Sequence, residues 1–184
     1  FIENKSNIFI KNLEIASHVV NDIFNDSNSS DLSGDLLINC LESFKMPPGR
    51  GEIFSLNKFK IIDDSYNANP ESVKVALDHL SGFKECRKFF VFGDMKELGA
   101  NEEIFHKKIG QYAVEKADIL LTVGKLAKNA QSNSNNFAIS LHFNDIFSLL
   151  EKLNELLTDG DIVLIKGSRS MQLDQLINEL KNVK

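Results

Sequence analysis

Tryptophan is absent from this 184-residue chain, and cysteine and proline are scarce, at two and three residues. Cys40 and Cys86 have no metal-ligand spacing, and two thiols in a chain this long do not make a disulfide framework, so both are read as reduced, buried and inert. No apolar run approaches the 18 or so residues that a membrane helix needs. Basic charge is also short: 21 Lys and Arg against 26 Asp and Glu leave a formal net charge of -5, which argues against a nucleic-acid partner held by backbone charge. The chain opens at Phe1 with neither an initiator methionine nor a basic stretch followed by an apolar one. It is therefore expected to be a piece of a longer protein rather than to start with a signal peptide, and an upstream region would carry part of any active site.

What is present is a globular composition, 42% hydrophobic and 26% charged, with 14 phenylalanines standing in for tryptophan as core filler. From about residue 57 onward, short β-rich runs alternate with runs of helical period. Strands are expected over 59–62, 88–92, 119–123, 137–141 and 161–165. Each is apolar with little alternation, as in strands covered on both faces of a parallel sheet. Helices are expected over 102–116, from Ile146 to Leu157 and over 171–183, where Leu173, Leu176, Ile177, Leu180 and Val183 share one face. Another helix should begin at Asn69-Pro70-Glu71, an N-cap followed by proline and an acidic first turn. Repeated strand-then-helix units predict an α/β, Rossmann-like and mostly parallel sheet with helices on both faces.

The first 45 residues differ in texture. Residues 13–24 and 36–44 read as helices around a polar stretch, with a strand conceivable only at 8–10, so this segment looks like the helical tail of an adjoining domain. Pro47-Pro48-Gly49 ends it, placing the domains at 1–45 and 46–184.

Ligands of open α/β sheets bind beyond the carboxyl ends of the strands, so the loops there hold the candidate site. Asp63-Asp64 follows the first expected strand and could accept from ribose hydroxyls, or could merely cap and solvate its turn. Gly93-Asp94-Met95-Lys96-Glu97-Leu98-Gly99 follows the second, a charged loop between glycines that suits a ligand contact. Gly124-Lys125 follows the third, but no G-x-x-x-x-G-K-[ST] loop occurs anywhere, so the chain is not expected to cradle a nucleoside triphosphate by itself. Lys166-Gly167-Ser168-Arg169-Ser170 follows the last and aims donors and two cations at one point, either as an anion site or as a plain serine cap with solvated charges. His18, His79, His106 and His142 show no metal or catalytic spacing, and those in helices read as partly buried or surface residues.

Four motifs together resemble the Mur ligases of peptidoglycan synthesis: Pro48-Gly49-Arg50-Gly51, the run IDDSYNANPES from Ile62 to Ser72, FGDMKELG from Phe92 to Gly99 with His106 seven residues on, and KGSRS from Lys166 to Ser170. The second run is similar to that of the member whose incoming substrate is D-alanyl-D-alanine. The resemblance implies a bacterial, cytoplasmic, ATP-dependent carboxylate–amine ligase that extends UDP-N-acetylmuramoyl-tripeptide through an acyl phosphate. ATP and Mg2+ would be bound mainly by upstream domains, and this piece, the C-terminal domain, would be inactive alone, holding neither catalytic residues nor metal ligands. It further implies nucleotide contacts from Arg50 and Asp64. Substrate contacts would come from Asn67, Ala68, Asn69, Lys166, Ser168 and Arg169. The family's His-Asn pair aligns with Ile8-Phe9, so no site residue is carried over from before Pro47. Competing readings are a free-standing Rossmann-like module for a nucleotide or anion, and a sibling Mur or folylpolyglutamate-type ligase.

Overall fold

The computed structural model describes residues 14–19, 22 and 47–182. Contacts divide the chain into two units, Phe1–Met46 and Pro47–Lys184. Within the first, residues 14–19 are helical, inside the helix expected over 13–24. The helix expected over 36–44, the strand at 8–10, Ile8-Phe9 and Cys40 lie outside the described residues.

The second unit is built on six strands: β1 (Glu52–Leu56), β2 (Phe59–Asp64), β3 (Lys88–Gly93), β4 (Ile119–Val123), β5 (Ile139–Phe143) and β6 (Ile162–Lys166). Their order in the sheet is β1-β2-β6-β3-β4-β5. All pairings are parallel except β1 with β2. Four helices connect or follow them: α1 (Pro70–Ser81), α2 (Glu102–Ala113), α3 (Ile146–Leu156) and α4 (Leu173–Asn182).

Because side chains alternate along a strand, the apolar runs supply both faces at once. Ile62, Phe90, Phe92, Leu120, Ile162 and Leu164 pack with α1 and α2 in one core. Ile61, Phe89, Val91, Leu121, Val163 and Ile165 pack with α3 and α4 in the other. This is the mostly parallel, doubly covered α/β sheet that the sequence predicts.

Three departures have local causes. Strand β1 is unexpected: Glu-Ile-Phe-Ser-Leu carries no strict alternation, and it becomes a strand by pairing with the edge of β2 across the two-residue turn Asn57-Lys58, where Asn57 takes φ +50. Strand β5 lies two residues later than expected, because Phe137 is buried in the first core at the end of the 3-10 segment Ala127–Asn136. That segment packs against α2 so closely that a Cβ on Gly110 would stand 2.0 Å from the carbonyl oxygen of Ala130, and only glycine fits. Asp161 precedes β6 rather than opening it, and its buried carboxylate clamps Arg87 at 2.6 and 2.9 Å at the sheet edge opposite the site. Cys86 is free and half-buried rather than buried.

One topological feature positions the site. Strand β6 is inserted between β2 and β3, and the chain leaves β2 toward α1 on one face but leaves β6 toward α4 on the other. The loops after β2 and β6 therefore diverge and open a crevice between them.

Candidate functional site

The crevice has a volume of about 320 Å3 and is lined by Pro48, Gly49, Asp63, Ser65, Tyr66, Arg169 and Asp174. Its floor is set by Asp63, buried at the end of β2, whose Oδ1 accepts from the Ser65 hydroxyl at 2.6 Å and the Ser65 N–H at 3.2 Å. This turn bends the chain out of the strand. The N–H of Tyr66 then donates to the Gly49 carbonyl at 2.9 Å, and the N–H of Gly51 donates to the Asp63 carbonyl at 2.7 Å. The Pro-Gly-Arg-Gly loop is thereby stapled to the loop after β2. Gly49 sits at φ +75, in close approach to Tyr66, where a side chain would be strained. Arg50 is exposed, its guanidinium 4.0 Å from the centre of the Tyr66 ring.

Arg50 thus stands against the loop after β2, and Asp64 ends that strand at the carboxyl edge of the sheet. Asp64 does not, however, point freely into solvent. Its side chain is 22% exposed, and its Oδ2 accepts from Lys166 Nζ at 2.6 Å. Burial pushes the Asp64 carboxyl above its ordinary value, and Lys166 and then Arg50 pull it back.

Lys166 and Ser168, expected to face a substrate, are both enclosed. Lys166 is 2% exposed, held at the end of β6 among apolar neighbours, and its ammonium also donates to the Asn67 carbonyl at 3.0 Å. Ser168 is buried; its hydroxyl accepts from the Lys96 N–H at 2.8 Å and its own N–H donates to the Asp94 carbonyl at 2.9 Å. Of that loop, only Arg169 faces the crevice, loosely paired with Asp174 at 3.2 Å. Asn67 is exposed, its amide oxygen accepting from the buried Ala68 N–H at 2.8 Å. Asn69 caps α1 reciprocally with Ser72, its side chain accepting the Ser72 N–H at 2.8 Å. None of these three residues lines the crevice.

The loop after β3 is a structural hub. Asp94, 2% exposed, accepts the N–H groups of Leu126 and Ala127 at 2.9 and 2.8 Å and pairs with Lys96 at 2.9 Å. Gly124, at φ +107, leaves the space that Asp94 fills, since a Cβ there would lie 2.4 Å from its Oδ1. His106 is fully buried. Its Nε2 accepts the Met95 N–H at 2.8 Å and its Nδ1 stands 2.6 Å from the Glu102 carbonyl, a pair of partners that requires the neutral imidazole with the proton on Nδ1. Burial holds its pKa below the ordinary 6.5. An unfolded chain takes up this proton near pH 6.5 and the folded one only at lower pH, so stability is full above about 6.5 and falls as the medium is acidified. Urea unfolding between pH 7 and 5 should show a steeper loss for the natural chain than for His106→Gln; parallel slopes would remove His106 as the cause.

Sequence reasoning missed Asp174, in the first turn of α4. It lines the crevice, and its buried Oδ1 has no hydrogen-bond partner among the described residues. No three His, Cys, Asp or Glu side chains gather as a metal site among the described residues.

A family profile described as Mur ligase, glutamate ligase domain, matches residues 49–169. The chain is 38% identical over 128 residues to the UDP-N-acetylmuramoyl-tripeptide--D-alanyl-D-alanine ligase of Bacillus subtilis (strain 168), covering 65% of this chain and 27% of that protein. The ligase of the same name from Escherichia coli (strain K12) is 33% identical, covering 77% and 31%. The chain therefore spans less than a third of the length of these relatives. Among solved structures it is similar to the MurF ligase of Thermotoga maritima in complex with ADP, at 28% identity and a TM-score of 0.69, covering 79% of this chain and 33% of that one.

Proposed function

Because the chain belongs to the Mur ligase family, we propose that residues 46–184 are the C-terminal domain of an ATP-dependent ligase that joins D-alanyl-D-alanine to UDP-N-acetylmuramoyl-tripeptide in peptidoglycan synthesis. Residues 1–45 are then the tail of its central domain. The observation that carries the reading is the loop cluster at the carboxyl ends of β2 and β6, where Arg169 lines the crevice and Arg50 and Asp64 adjoin its lining residues Gly49, Asp63 and Ser65 along the chain, in a chain similar to ligases of that name.

The residues present fit the ribose end of a nucleotide: a carboxylate at Asp64 with one oxygen engaged by Lys166, beside Arg50 braced on Tyr66. No G-x-x-x-x-G-K-[ST] run occurs in the sequence, and in this reading the phosphates, magnesium and the catalytic carboxylates belong to upstream domains. ATP supplies the phosphoryl group that activates the tripeptide carboxylate. Asp64 then orients the nucleotide through its hydroxyls, and Arg50 neutralises negative charge near it. Arg169 holds the dipeptide carboxylate, while Asn67, Ala68 and Asn69 shape the entry to α1 beside it. Lys166 and Ser168 act from below, fixing the loops that carry these groups. The chemistry contributed is positioning and charge neutralisation. No helix among the described residues is long and apolar enough to cross a membrane, in keeping with a cytoplasmic enzyme acting on UDP-linked substrate.

Phosphate release by the complete enzyme, supplied with UDP-N-acetylmuramoyl-tripeptide and Mg-ATP, should depend on D-alanyl-D-alanine. Equal release with a single amino acid such as glutamate would refute this substrate assignment.

A further inference from the structure

Lys166 carries a charge in one of the most enclosed side-chain positions of the domain, 2% exposed. It stands in register with Asp64 across the β2–β6 ladder and with Phe92 across the β3–β6 ladder. Stability alone gives little reason for it, since an apolar residue of similar volume in a buried ion-pair slot is commonly as stable. An apolar residue could not, however, bond two groups at once. The Lys166 ammonium donates both to Asp64 Oδ2, at 2.6 Å, and to the backbone carbonyl of Asn67, at 3.0 Å. That carbonyl belongs to the peptide leading into Ala68, whose methyl is packed in the core, and Asn69, which caps α1. The three points are rigid: a strand end, a buried methyl and a helix cap. A change in the position of the Asp64 carboxylate is therefore passed to the Asn67–Ala68 peptide rather than dissipated.

We propose that Lys166 is a positioning residue that couples the two halves of the site, tying the Asp64 carboxylate to the Asn67 carbonyl so that a hydroxyl-bearing ligand on Asp64 sets the loop that receives the second substrate. The identities of the two ligands rest on the function proposed above; the coupling itself does not. Coupling between binding sites is typically five-fold or more and acts in both directions.

Two experiments test it. In the 184-residue chain, the Asn67 carbonyl 13C and Ala68 amide resonances are followed in the natural protein, Asp64→Asn, Lys166→Met and the double variant. Asp64→Asn should move both resonances when Lys166 is present and leave them in place in the Lys166→Met background. Lys166→Gln, which keeps a neutral donor, replaces Lys166→Met should the latter fail to fold. Equal movement with and without Lys166, or none in either, overturns the coupling whatever the ligands are. In the complete enzyme, saturating ATP should lower the KM for D-alanyl-D-alanine by roughly five- to tenfold, and Lys166→Met should abolish that dependence with a smaller effect on kcat. Persistence of the dependence in Lys166→Met overturns the coupling. An enzyme that ignores D-alanyl-D-alanine overturns the functional reading instead, with the resonance experiment still deciding the coupling.

Discussion

Asp94→Ala lowers the stability of the Pro47–Lys184 unit by about 3–5 kcal/mol, the range for breaking a buried, hydrogen-bonded carboxylate site. The side chain satisfies two backbone N–H groups, of Leu126 and Ala127, that no other acceptor replaces, and each orphaned buried donor costs about 1–3 kcal/mol. The ion pair with Lys96 contributes little, because that lysine is 43% exposed. Asp94→Asn separates the two contributions: its amide oxygen can still accept both N–H groups, so it should lose about 1 kcal/mol or less. Urea unfolding of the two variants measures the difference. Equal losses would mean that the charge, rather than the cap on the Ala127–Asn136 segment, holds the three loops together.

Arg169→Ala, in the complete enzyme, weakens use of D-alanyl-D-alanine by about ten- to hundredfold while leaving the KM for ATP nearly unchanged. A charge-assisted hydrogen bond to a carboxylate is worth about 1.5–3 kcal/mol, which is that factor. Arg169 is a loosely held cation of the crevice, 62% exposed and, among the described residues, paired with Asp174 at 3.2 Å, so it can change partner at small cost. Lys166, held by Asp64 and the Asn67 carbonyl, cannot do so. Equal losses for the two substrates would assign the loop to domain closure. An unchanged enzyme would return Arg169 to the solvent.

Residue patterns carried much of the fold. Ile119–Val123 and Ile162–Lys166 are legible as strands because both their faces are covered, which favours apolar residues at all but one position of each. The start of α1 is legible because Asn69, Pro70 and Glu71 each solve a separate problem of a helix N-terminus. Arg50 is singled out only by the family resemblance, whereas Asp64 could be placed at a strand end from the strand pattern. The partners of those side chains could not. Lys166 and Asp64 are 102 residues apart, Asp94 and Leu126 are 32 apart, and no local pattern links either pair. The same KGSRS run that reads as two cations aimed at one point becomes one buried ammonium and one exposed guanidinium.

The amino-acid sequence by itself determined the alternation of strands and helices, the covering of the sheet on both faces and the local caps, since each depends on neighbours within a few residues. The tertiary structure alone decided that β6 slips between β2 and β3, which of the charged groups are enclosed, and therefore which can meet a ligand. Strand order is a choice among long-range pairings of similar apolar edges, and a side chain's exposure depends on whatever is packed over it from distant parts of the chain.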